Sequence, residues 1–302
     1  MSTHLPTAYV LGPNQYGKAE VRLVRVDRGT PEHALADLNV STQLRGDFGP
    51  AYTDGDNGHV HATDTQKNTV YALAKEHGVT SPEAFLLLLA DHWRAQPWVT
   101  GTQMSAEQYA WERIGAGTTG SGHSFARTGR EVRTAVVQTD GDETFVLGGL
   151  TGLTVLKSTG SEFSGFPRDR FTTLAETTDR ILATSVTAWW RYASSPADWD
   201  TAYDAVRAAL VGTFAGVHSL ALQQTIHAMA AAAMDAVPEV AELRISCPNK
   251  HHFEVDLSPF GMANGGEVFI AADRPYGLIQ ATVGRAGAAA EPRAWTAVPA
   301  FA

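Results

Sequence analysis

The sequence predicts an α+β fold in which helices are layered on one face of antiparallel sheets. Stretches of alternating apolar and polar residues, typical of half-buried strands, occur beside stretches whose apolar residues recur at helical spacing. The order of hairpin, two helices and hairpin occurs twice along the 302 residues. Strands in hairpins with helices between them favour an antiparallel sheet covered by helices. We therefore predict two domains of this kind, residues 1–145 and 146–302.

In the first half, the residues Arg-Gly-Thr-Pro at positions 28–31 form a turn pattern between the first two strands. Ser81 and Pro82 mark the start of the second helix, because serine is a favoured N-cap residue and proline is favoured at the first helical position. The predicted strands are 19–26, 36–41, 102–114 and 131–139, and the predicted helices run from Thr63 through Ala74 and from Ser81 through Trp93.

The second half repeats this order of elements. Its clearest helix follows Asp198, because the apolar residues there recur at steps of three and four positions. These residues are Trp199, Tyr203, Val206, Leu210, Phe214 and Val217. The other predicted elements are a hairpin across 140–142 that leads into strands at 146–147 and 153–156, a strand at 181–191, a helix at 220–234, and strands at 240–247, 253–257 and 267–272. Such sheets leave edges that neighbouring subunits can cover, so an oligomer is expected.

Composition and charge narrow the function classes. A formal net charge of -9 disfavours nonspecific binding to nucleic acid or to an anionic membrane. No apolar run approaches the roughly 20 residues that span a bilayer. The N-terminus lacks the pattern of a signal peptide, and the ending Val-Pro-Ala-Phe-Ala is neither a peroxisomal signal nor a lipidation box. We therefore expect a cytoplasmic protein without a nucleic-acid or membrane partner.

The single cysteine, Cys247, cannot form a disulfide within the chain. It lies in the alternating run Leu-Arg-Ile-Ser-Cys at 243–247, which predicts a small strand residue and not a nucleophile. No combination of cysteine and histidine has the spacing of a zinc site. No metal site is predicted.

Four polar clusters could carry chemistry, and the first two lie in the first half. Lys18 follows Tyr16 and Gly17 just before the first strand, where a lysine is commonly only a solvated charge. Thr63 and Gln66 have the spacing of a capping box, which would give Thr63 a structural role. The same helix start also concentrates backbone donors and positive dipole, which suits an anion.

The other two clusters lie in the second half. The polar, glycine-containing stretch 153–174 carries Phe163, Phe166 and Phe171, which could anchor a loop or form a ligand platform. The fourth cluster contains the adjacent His251 and His252. Because successive side chains of a strand point to opposite faces, both cannot hold one metal ion without a bulge. One histidine is expected to face something reactive, and the other to face solvent or packing.

The third cluster carries a family resemblance. Its spacing resembles the signature of the urate oxidase family, and the quoted pattern is Leu153-x-Val155-Leu156-Lys157-Ser158-Thr159-x-Ser161-x-Phe163-x-x-Phe166-x4-Phe171-x-x-Leu174-x5-Arg180. Further motifs that look like those of the family occur in the right order: Tyr16-Gly17-Lys18, Thr63-Asp64 with Lys67-Asn68-Thr69, Leu222-Gln223 and Asn249-Lys250-His251. The resemblance implies two tandem tunnelling-fold (T-fold) domains, a homotetramer that encloses a tunnel, and active sites at subunit interfaces. Without a peroxisomal tail, the chain resembles a bacterial member.

The resemblance also implies a reaction. Urate reacts with O2 and water to give 5-hydroxyisourate and hydrogen peroxide, with no cofactor, neither flavin nor metal. In this family the guanidinium of Arg180 would donate two hydrogen bonds to the urate anion, and Gln223 would bind another edge through its amide. Phe163 would stack on the purine ring. The further binding residues implied are Leu174, which packs against the site, Leu222 and Asp64 through their backbones, and Thr63, which with Asp64 comes from the neighbouring subunit.

A proton relay is implied at the same site. Lys18 and Thr63 resemble the relay pair of the family, assisted by His251, and Asn249 would hold O2 or the attacking water. A lysine that accepts a proton near neutral pH needs its pKa lowered by roughly 3 units from about 10.4, which requires burial or a nearby cation. His252 is expected to have no catalytic part. His59, His61 and His218 are expected to be ordinary packing or surface residues.

Two other functions are compatible with the same fold. Some T-fold proteins hydrolyse pterins or purines, in some cases with zinc, but this chain lacks the paired cysteine and histidine ligands that such a site needs. A noncatalytic purine-binding protein could keep the fold without the relay. The presence of Lys18, Thr63 and His251 favours an enzyme.

Overall fold

The computed structural model describes residues 9–115, 122–129, 131–272 and 274–298. The predicted α+β class is confirmed, with two tandem units that have antiparallel sheets and few helices. One compact unit lies within Met1–Gly148 and Ala290–Ala300, and the other within Gly149–Ala289. We call them unit 1 and unit 2. No helix in the described residues combines the length and hydropathy needed to traverse a lipid bilayer.

The strands of unit 1 are β1 Tyr16–Asp27, β2 Ala34–Gly46, β3 Val99–Gln108, β4 Trp111–Arg113, β5 Phe125–Arg127, β6 Val132–Asp140 and the first part of β7 Glu143–Lys157. Its helices are α1 Gly49–Thr53, α2 Thr63–His77 and α3 Pro82–Arg94. The main sheet of this unit has the order β1-β2-β3-β6, followed by the first part of β7. Helix α2 packs on β1, and α3 packs on β3 and β6. The predicted N-cap of α3 is confirmed, because the side chain of Ser81 accepts a hydrogen bond from the Ala84 amide at 3.1 Å.

The core of unit 1 lies between these helices and the sheet. Large apolar side chains on α3 and β2 are fully buried, and they are Leu86, Leu89, Trp93, Leu38, Val40 and Leu44. Alternate residues of β2 face this core, as the period of a strand requires. The packing holds the start of α2 against β1 and β2, where the first group of predicted site residues lies.

Unit 2 repeats the order of unit 1. After β7, its elements are β8 Leu182–Tyr192, α4 Trp199–Gly216, α5 Leu222–Ala236, β9 Val240–Asn249, β10 His252–Glu254, β11 Phe269–Ala271 and β12 Gly277–Gly284. The main sheet of this unit has the order β7-β8-β9-β12. Helix α5 packs on β9, on β12 and on α4. Of the residues predicted to recur on α4, Tyr203, Val206, Leu210 and Phe214 are buried, Trp199 is half-buried, and Val217 lies just after the helix as its C-cap. Asp198 caps the helix by accepting from the Thr201 amide at 2.7 Å.

Several strand predictions are wrong in detail. The strands predicted at 146–147 and 153–156 are parts of one continuous strand, β7. The strand predicted at 102–114 ends at Gln108, and the residues after it form a small separate hairpin of β4 Trp111–Arg113 and β5 Phe125–Arg127. The strands predicted at 253–257 and 267–272 pair with each other as β10 His252–Glu254 and β11 Phe269–Ala271 instead of joining the main sheet. The edge strand of the unit 2 sheet is β12, which pairs with β9 and was not predicted from the sequence. Its residues alternate in burial. Local alternation indicates a strand but does not specify its partner.

The segment 290–298 packs within unit 1. The side chain of Gln138 donates to the carbonyl of Ala294 at 2.7 Å and accepts from the hydroxyl of Thr296 at 2.7 Å. Arg293 pairs with Glu143 through both terminal nitrogens, and Trp295 is buried. This segment follows all of unit 2 in sequence, and these contacts tie it to β6 and β7.

Candidate active site

Lys18 lies on β1 where the pairing with β2 is interrupted. It is opposite Thr42, and the register shifts between Lys18 and Val21. Glu20 within this bulge has a φ of 57°, a conformation that side chains other than glycine rarely adopt. Bulges are frequent beside active sites because they redirect a side chain relative to the regular pleat. The bulge therefore sets the direction of the chain just after the predicted relay lysine.

The residue before Lys18 must be glycine. A Cβ atom at Gly17 would lie 1.7 Å from the carbonyl oxygen of Thr42, far inside any allowed contact. The backbone of β1 thus approaches β2 more closely than a side chain permits. Half-buried Lys18 follows directly, so its position is determined by the backbone pairing on either side of it.

Thr63 and Asp64 are the first two residues of α2. The N-cap residue is Ala62, which provides no side-chain hydrogen bond, so the capping box that Thr63 and Gln66 could have formed is not present. Thr63 and Asp64 are exposed. The first amides of a helix have no partner within the helix, so this exposed start can donate hydrogen bonds to a ligand.

The carboxylate of Asp64 is held by its own helix. It accepts from the Lys67 ammonium at 2.5 Å and from the Asn68 amide at 3.1 Å. The hydrogen bond and charge of Lys67 lower the pKa of Asp64, and Asn68 and the charge of Lys18 act in the same direction. These contacts explain why the motif places Lys67 and Asn68 after Asp64. They keep the side chain of Asp64 away from the backbone amides of the first turn.

A buried hydrogen bond joins the start of α2 to the sheet. The hydroxyl of Thr42 donates to the side-chain oxygen of Gln66 at 2.8 Å, and both residues are fully buried. Thr42 is the residue opposite Lys18 on β2, and Gln66 lies one turn after Thr63. The bond therefore links α2, which carries Thr63, to β2, the strand that pairs with the strand of Lys18. The sequence pattern assigned Gln66 to a capping box, and the structure gives it this different role.

Replacing Thr42 by valine is expected to lower the free energy of unfolding by about 1–3 kcal/mol, because valine keeps the shape but leaves the Gln66 oxygen buried without a donor. Chemical denaturation measures the change. Thr69→Val is the matched control, since the Thr69 hydroxyl donates to Thr65 on the exposed side of the same helix. A Thr42→Val loss no larger than that of the control would contradict the importance of the bond, and Thr42→Ser should keep most of the stability.

In unit 2, the guanidinium of Arg180 lies over the ring of Phe163. The central guanidinium carbon of Arg180 is 5.3 Å from the centre of the Phe163 ring, and the ring of Phe166 stacks on that of Phe163 at 4.9 Å. Burial lowers the pKa of Arg180, which still remains charged at neutral pH. Its Nε is buried and has no hydrogen-bond partner within the part of the chain that the structure describes. A half-buried guanidinium with an unused donor beside an aromatic face can bind a planar anion.

His251 lies close enough to Arg180 for their charges to interact. Burial lowers the pKa of His251, and the positive charge of Arg180 lowers it further. A lowered histidine pKa leaves the ring neutral at pH 7, so it can accept a proton there. Asn249 precedes it at the end of β9, where it pairs with Thr184 of β8 and Gly277 of β12.

His252 faces a different environment. Its Nδ1 lies 3.1 Å from the carbonyl of Lys250, and its backbone pairs with Ala271 in the small hairpin.

The histidines of unit 1 that were expected to be packing residues, His59 and His61, contact tryptophans. The ring of His59 stacks on Trp98 with centres 5.1 Å apart.

Leu222 and Gln223 are the first two residues of α5, as Thr63 and Asp64 are of α2. Both helices have 15 residues, and both follow an alanine N-cap, Ala221 in α5, that forms no side-chain hydrogen bond. Leu222 is buried and Gln223 is exposed. The two units therefore have equivalent helix starts, whose first amides have no partner within the helix itself. The internal repeat extends from the order of elements to the predicted binding residues.

Leu174 is a predicted site residue that lies exposed on a loop. Its side chain is 54% exposed, and its carbonyl accepts a hydrogen bond from Arg168 at 3.2 Å. Phe171 nearby is 72% exposed. The loop therefore places Leu174 on the surface of unit 2, while Phe163 and Phe166 pack against each other.

The predicted residues thus form two groups. Lys18, Thr63 and Asp64 lie together in unit 1, and Phe163, Leu174, Arg180, Leu222, Gln223, Asn249 and His251 lie in unit 2. A family model described as uricase matches residues 14–138 and 146–280, which include all of these positions. The chain belongs to the uricase family. The resemblance predicted from the motifs is confirmed.

Individual uricases are similar over almost the whole chain. The uricase of Arthrobacter globiformis is 55% identical over 300 residues, which cover 99% of this chain and 98% of that protein. The uricase of Dictyostelium discoideum is 38% identical over 280 residues, covering 90% of this chain and 96% of that one. The crystal structure of the Arthrobacter globiformis uricase matches with a TM-score of 0.91 at 56% identity, covering 96% of this chain and 100% of that chain.

The cysteine and metal predictions concern residues outside these groups. Cys247 is fully buried on β9, and burial raises the pKa of its thiol to about 12. In the part of the chain that the structure describes, no three His, Cys, Asp or Glu side chains are grouped so that they could hold a metal ion. The position of Cys247 agrees with a strand residue that packs in the core.

Cys247 is expected to resist alkylation in the folded protein. Its thiol is buried and, with a pKa of about 12, carries almost no thiolate at pH 8. Iodoacetamide at that pH should label the native protein far more slowly than the protein unfolded in guanidinium chloride, and mass spectrometry measures both. Native labelling at the rate of the unfolded chain would show that the thiol is accessible.

Proposed function

We propose that this protein oxidises urate with O2 and water to 5-hydroxyisourate and hydrogen peroxide. Two electrons pass from urate to O2, and the oxygen of water is added to the purine. The observation that carries this proposal is the half-buried guanidinium of Arg180, which lies over the ring of Phe163 and near His251, and whose Nε has no hydrogen-bond partner among the described residues. Membership of the uricase family supports the same reaction.

The group in unit 2 is suited to hold the urate anion. Arg180 supplies a charged, planar set of donors, and paired hydrogen bonds from a guanidinium fix the orientation of a planar acceptor. Phe163 offers an aromatic face beside these donors, so both can act on one flat ligand. Gln223 and the free amides at the start of α5 provide further donors. Asn249, at the end of β9, would hold O2 or water against the ring.

The group in unit 1 is suited to move protons. Urate becomes a better electron donor when it loses a proton, so a base activates the substrate itself and no redox cofactor is needed. Lys18 is the proposed base, with the hydroxyl of Thr63 between it and the substrate. His251, neutral at pH 7 because its pKa is lowered, would complete the relay from unit 2.

We further propose that one complete site combines two subunits. The charge of Lys18 lowers the pKa of Asp64, so Lys18, Thr63 and Asp64 come from the same chain. A neighbouring subunit would supply Arg180, Phe163 and the rest of the second group. A homotetramer that encloses a tunnel would bring the two groups together. The rival functions, hydrolysis of pterins or purines and binding without catalysis, are not favoured by the family membership.

A pair of assays tests the reaction. Loss of urate absorbance is followed with and without O2, while peroxide is measured alongside. Turnover only in the presence of O2, with one peroxide formed for each urate consumed, is the expected result. Urate loss without O2, or turnover that depends on stoichiometric zinc or copper in the purified protein, would contradict the proposed chemistry.

A further inference from the structure

Three segments of unit 2 meet behind Arg180 and Phe163. They are residues 158–163 after β7, residues 177–180 before β8, and residues 217–221 before α5. Each one leads to a proposed urate-binding residue. The first leads to Phe163, the second to Arg180, and the third to Gln223. Their relative position therefore determines the shape of the binding group.

Asp179 joins the first two segments. Its carboxylate accepts from the hydroxyl of Thr159 at 2.7 Å and from the amide of Gly160 at 2.9 Å. These bonds lower the pKa of Asp179, so it is ionised at neutral pH and both oxygens are acceptors. The Thr159 bond spans 20 residues of sequence. Because Asp179 directly precedes Arg180, the bonds of its carboxylate hold the backbone at Arg180 in position relative to Thr159 and Gly160.

A second bond pair joins the same two segments at Phe163. The amide of Phe163 donates to the carbonyl of Thr177 at 2.9 Å, and the amide of Thr177 donates back to Phe163 at 3.1 Å. The hydroxyl of Thr177 also donates to the carbonyl of Asp179 at 2.7 Å. Phe163 is therefore hydrogen-bonded to Thr177, and Thr177 is hydrogen-bonded to Asp179, the residue that precedes Arg180.

The third segment is attached through Ser219. Its amide donates to the carbonyl of Gly160 at 2.9 Å, and its carbonyl accepts from Glu162 at 2.8 Å. The hydroxyl of Thr225, in the second turn of α5, donates to the hydroxyl of Ser219 at 2.8 Å, and both residues are fully buried. Gly160 thus binds Asp179 on one side and Ser219 on the other. The start of α5, with Gln223, is held to the same frame.

We propose that Asp179 is a positioning residue for urate, which holds Arg180, Phe163 and the start of α5 in the geometry that binds the purine. This role rests on the proposed oxidation of urate. Asp179 itself donates nothing to the substrate and acts through the segments it joins. A binding group built from several loops loses affinity when one of them moves by about 1 Å.

Asp169 provides a matched control in the same region. Its carboxylate also accepts from a backbone amide, that of Phe171 at 2.9 Å, and from a hydroxyl, that of Thr172 at 3.0 Å. These bonds lower the pKa of Asp169 as the others do for Asp179. The partners of Asp169, however, lie within its own turn. The two aspartates differ in whether their bonds join separate segments of the site.

The experiment compares Asp179→Asn with Asp169→Asn. In Asp179→Asn one acceptor is replaced by an amide group that faces the donors of Thr159 or Gly160. We expect the KM for urate, and the Kd of a urate analogue that is not oxidised, to rise about tenfold or more. The kcat at saturating urate should change less than about threefold, because the relay residues are not touched. Asp169→Asn should leave the KM and the Kd within about twofold of the parent values.

Thr159 gives a second route if Asp179→Asn fails to fold. Thr159→Val should raise the KM and the Kd in the same way, while Thr159→Ser, which keeps the hydroxyl, should restore them. The inference is overturned if Asp179→Asn and Thr159→Val match Asp169→Asn in analogue binding, or if they lower kcat without changing the Kd. Lack of urate oxidation by the parent protein would refute the proposed function, and the analogue Kd values would still decide the role of Asp179.

Discussion

Replacing Lys18 by methionine is expected to reduce the kcat for urate oxidation by about 10²- to 10⁴-fold, the contribution typical of a positioned general base. Methionine keeps the unbranched apolar stem and removes only the ammonium group. Lys18 is half-buried beside the bulge of β1, and its charge reaches Asp64 at the start of α2. Steady-state kinetics with urate measures the change.

Two further variants separate proton acceptance from charge. Lys18→Arg keeps the positive charge but cannot release a proton near neutral pH, so it should be as inactive as Lys18→Met. Lys75→Met, in the last turn of α2, is the control for loss of a lysine on the same unit and should keep the parent kcat. A Lys18→Met protein that oxidises urate at the parent rate, or a fully active Lys18→Arg protein, would show that Lys18 is not the base.

Replacing Arg180 by alanine is expected to lower kcat/KM for urate by about 10²- to 10⁴-fold. Hydrogen bonds to a charged group contribute about 1.5–3 kcal/mol each, and a guanidinium can supply two to one planar anion. Arg180→Lys should fall between alanine and the parent, since an ammonium keeps the charge without the paired geometry. Arg170→Ala is the control, because Arg170 is exposed in the same loop and packs over Phe171.

Arg180→Ala has a second expected consequence that does not depend on turnover. The charge of Arg180 lowers the pKa of His251 in addition to the larger effect of burial. Removal of that charge should raise the pKa of His251 toward the ordinary histidine value, and titration followed by NMR measures it. If Arg180→Ala leaves both kcat/KM and the His251 titration unchanged, the two side chains do not share a site.

The elements that were predicted correctly depend on interactions between residues that are close together in the sequence. The caps Ser81 and Asp198 bind amides three residues later, and the apolar residues of α4 recur at the helical period, so a short window of sequence contains the whole signal. The strand partners are different. β10 and β11 pair with each other in a separate sheet whereas β12 joins the main sheet, and this choice depends on pairing between residues far apart in the chain.

The site divides in the same way. Short motifs predicted Lys18, Thr63, Arg180 and His251 as site residues, because each motif of the family consists of residues that are near each other in the chain. The motifs assigned Gln66 to a helix cap, whereas its oxygen accepts from Thr42, 24 residues away, inside the core. Asp179 received no role, although its carboxylate binds Thr159 from the other end of the loop.

The sequence by itself determined the repeated order of strands and helices, the start of α3 and α4, and the family to which the chain belongs. Only the folded chain shows that β12 is the edge strand of the unit 2 sheet, that Thr42 and Gln66 connect α2 to the strand that pairs with the strand of Lys18, and that Asp179 and Ser219 join three segments. The reason is physical. Periodicity and capping act over a few residues, whereas these hydrogen bonds form only after folding has brought distant segments together and removed water from between them.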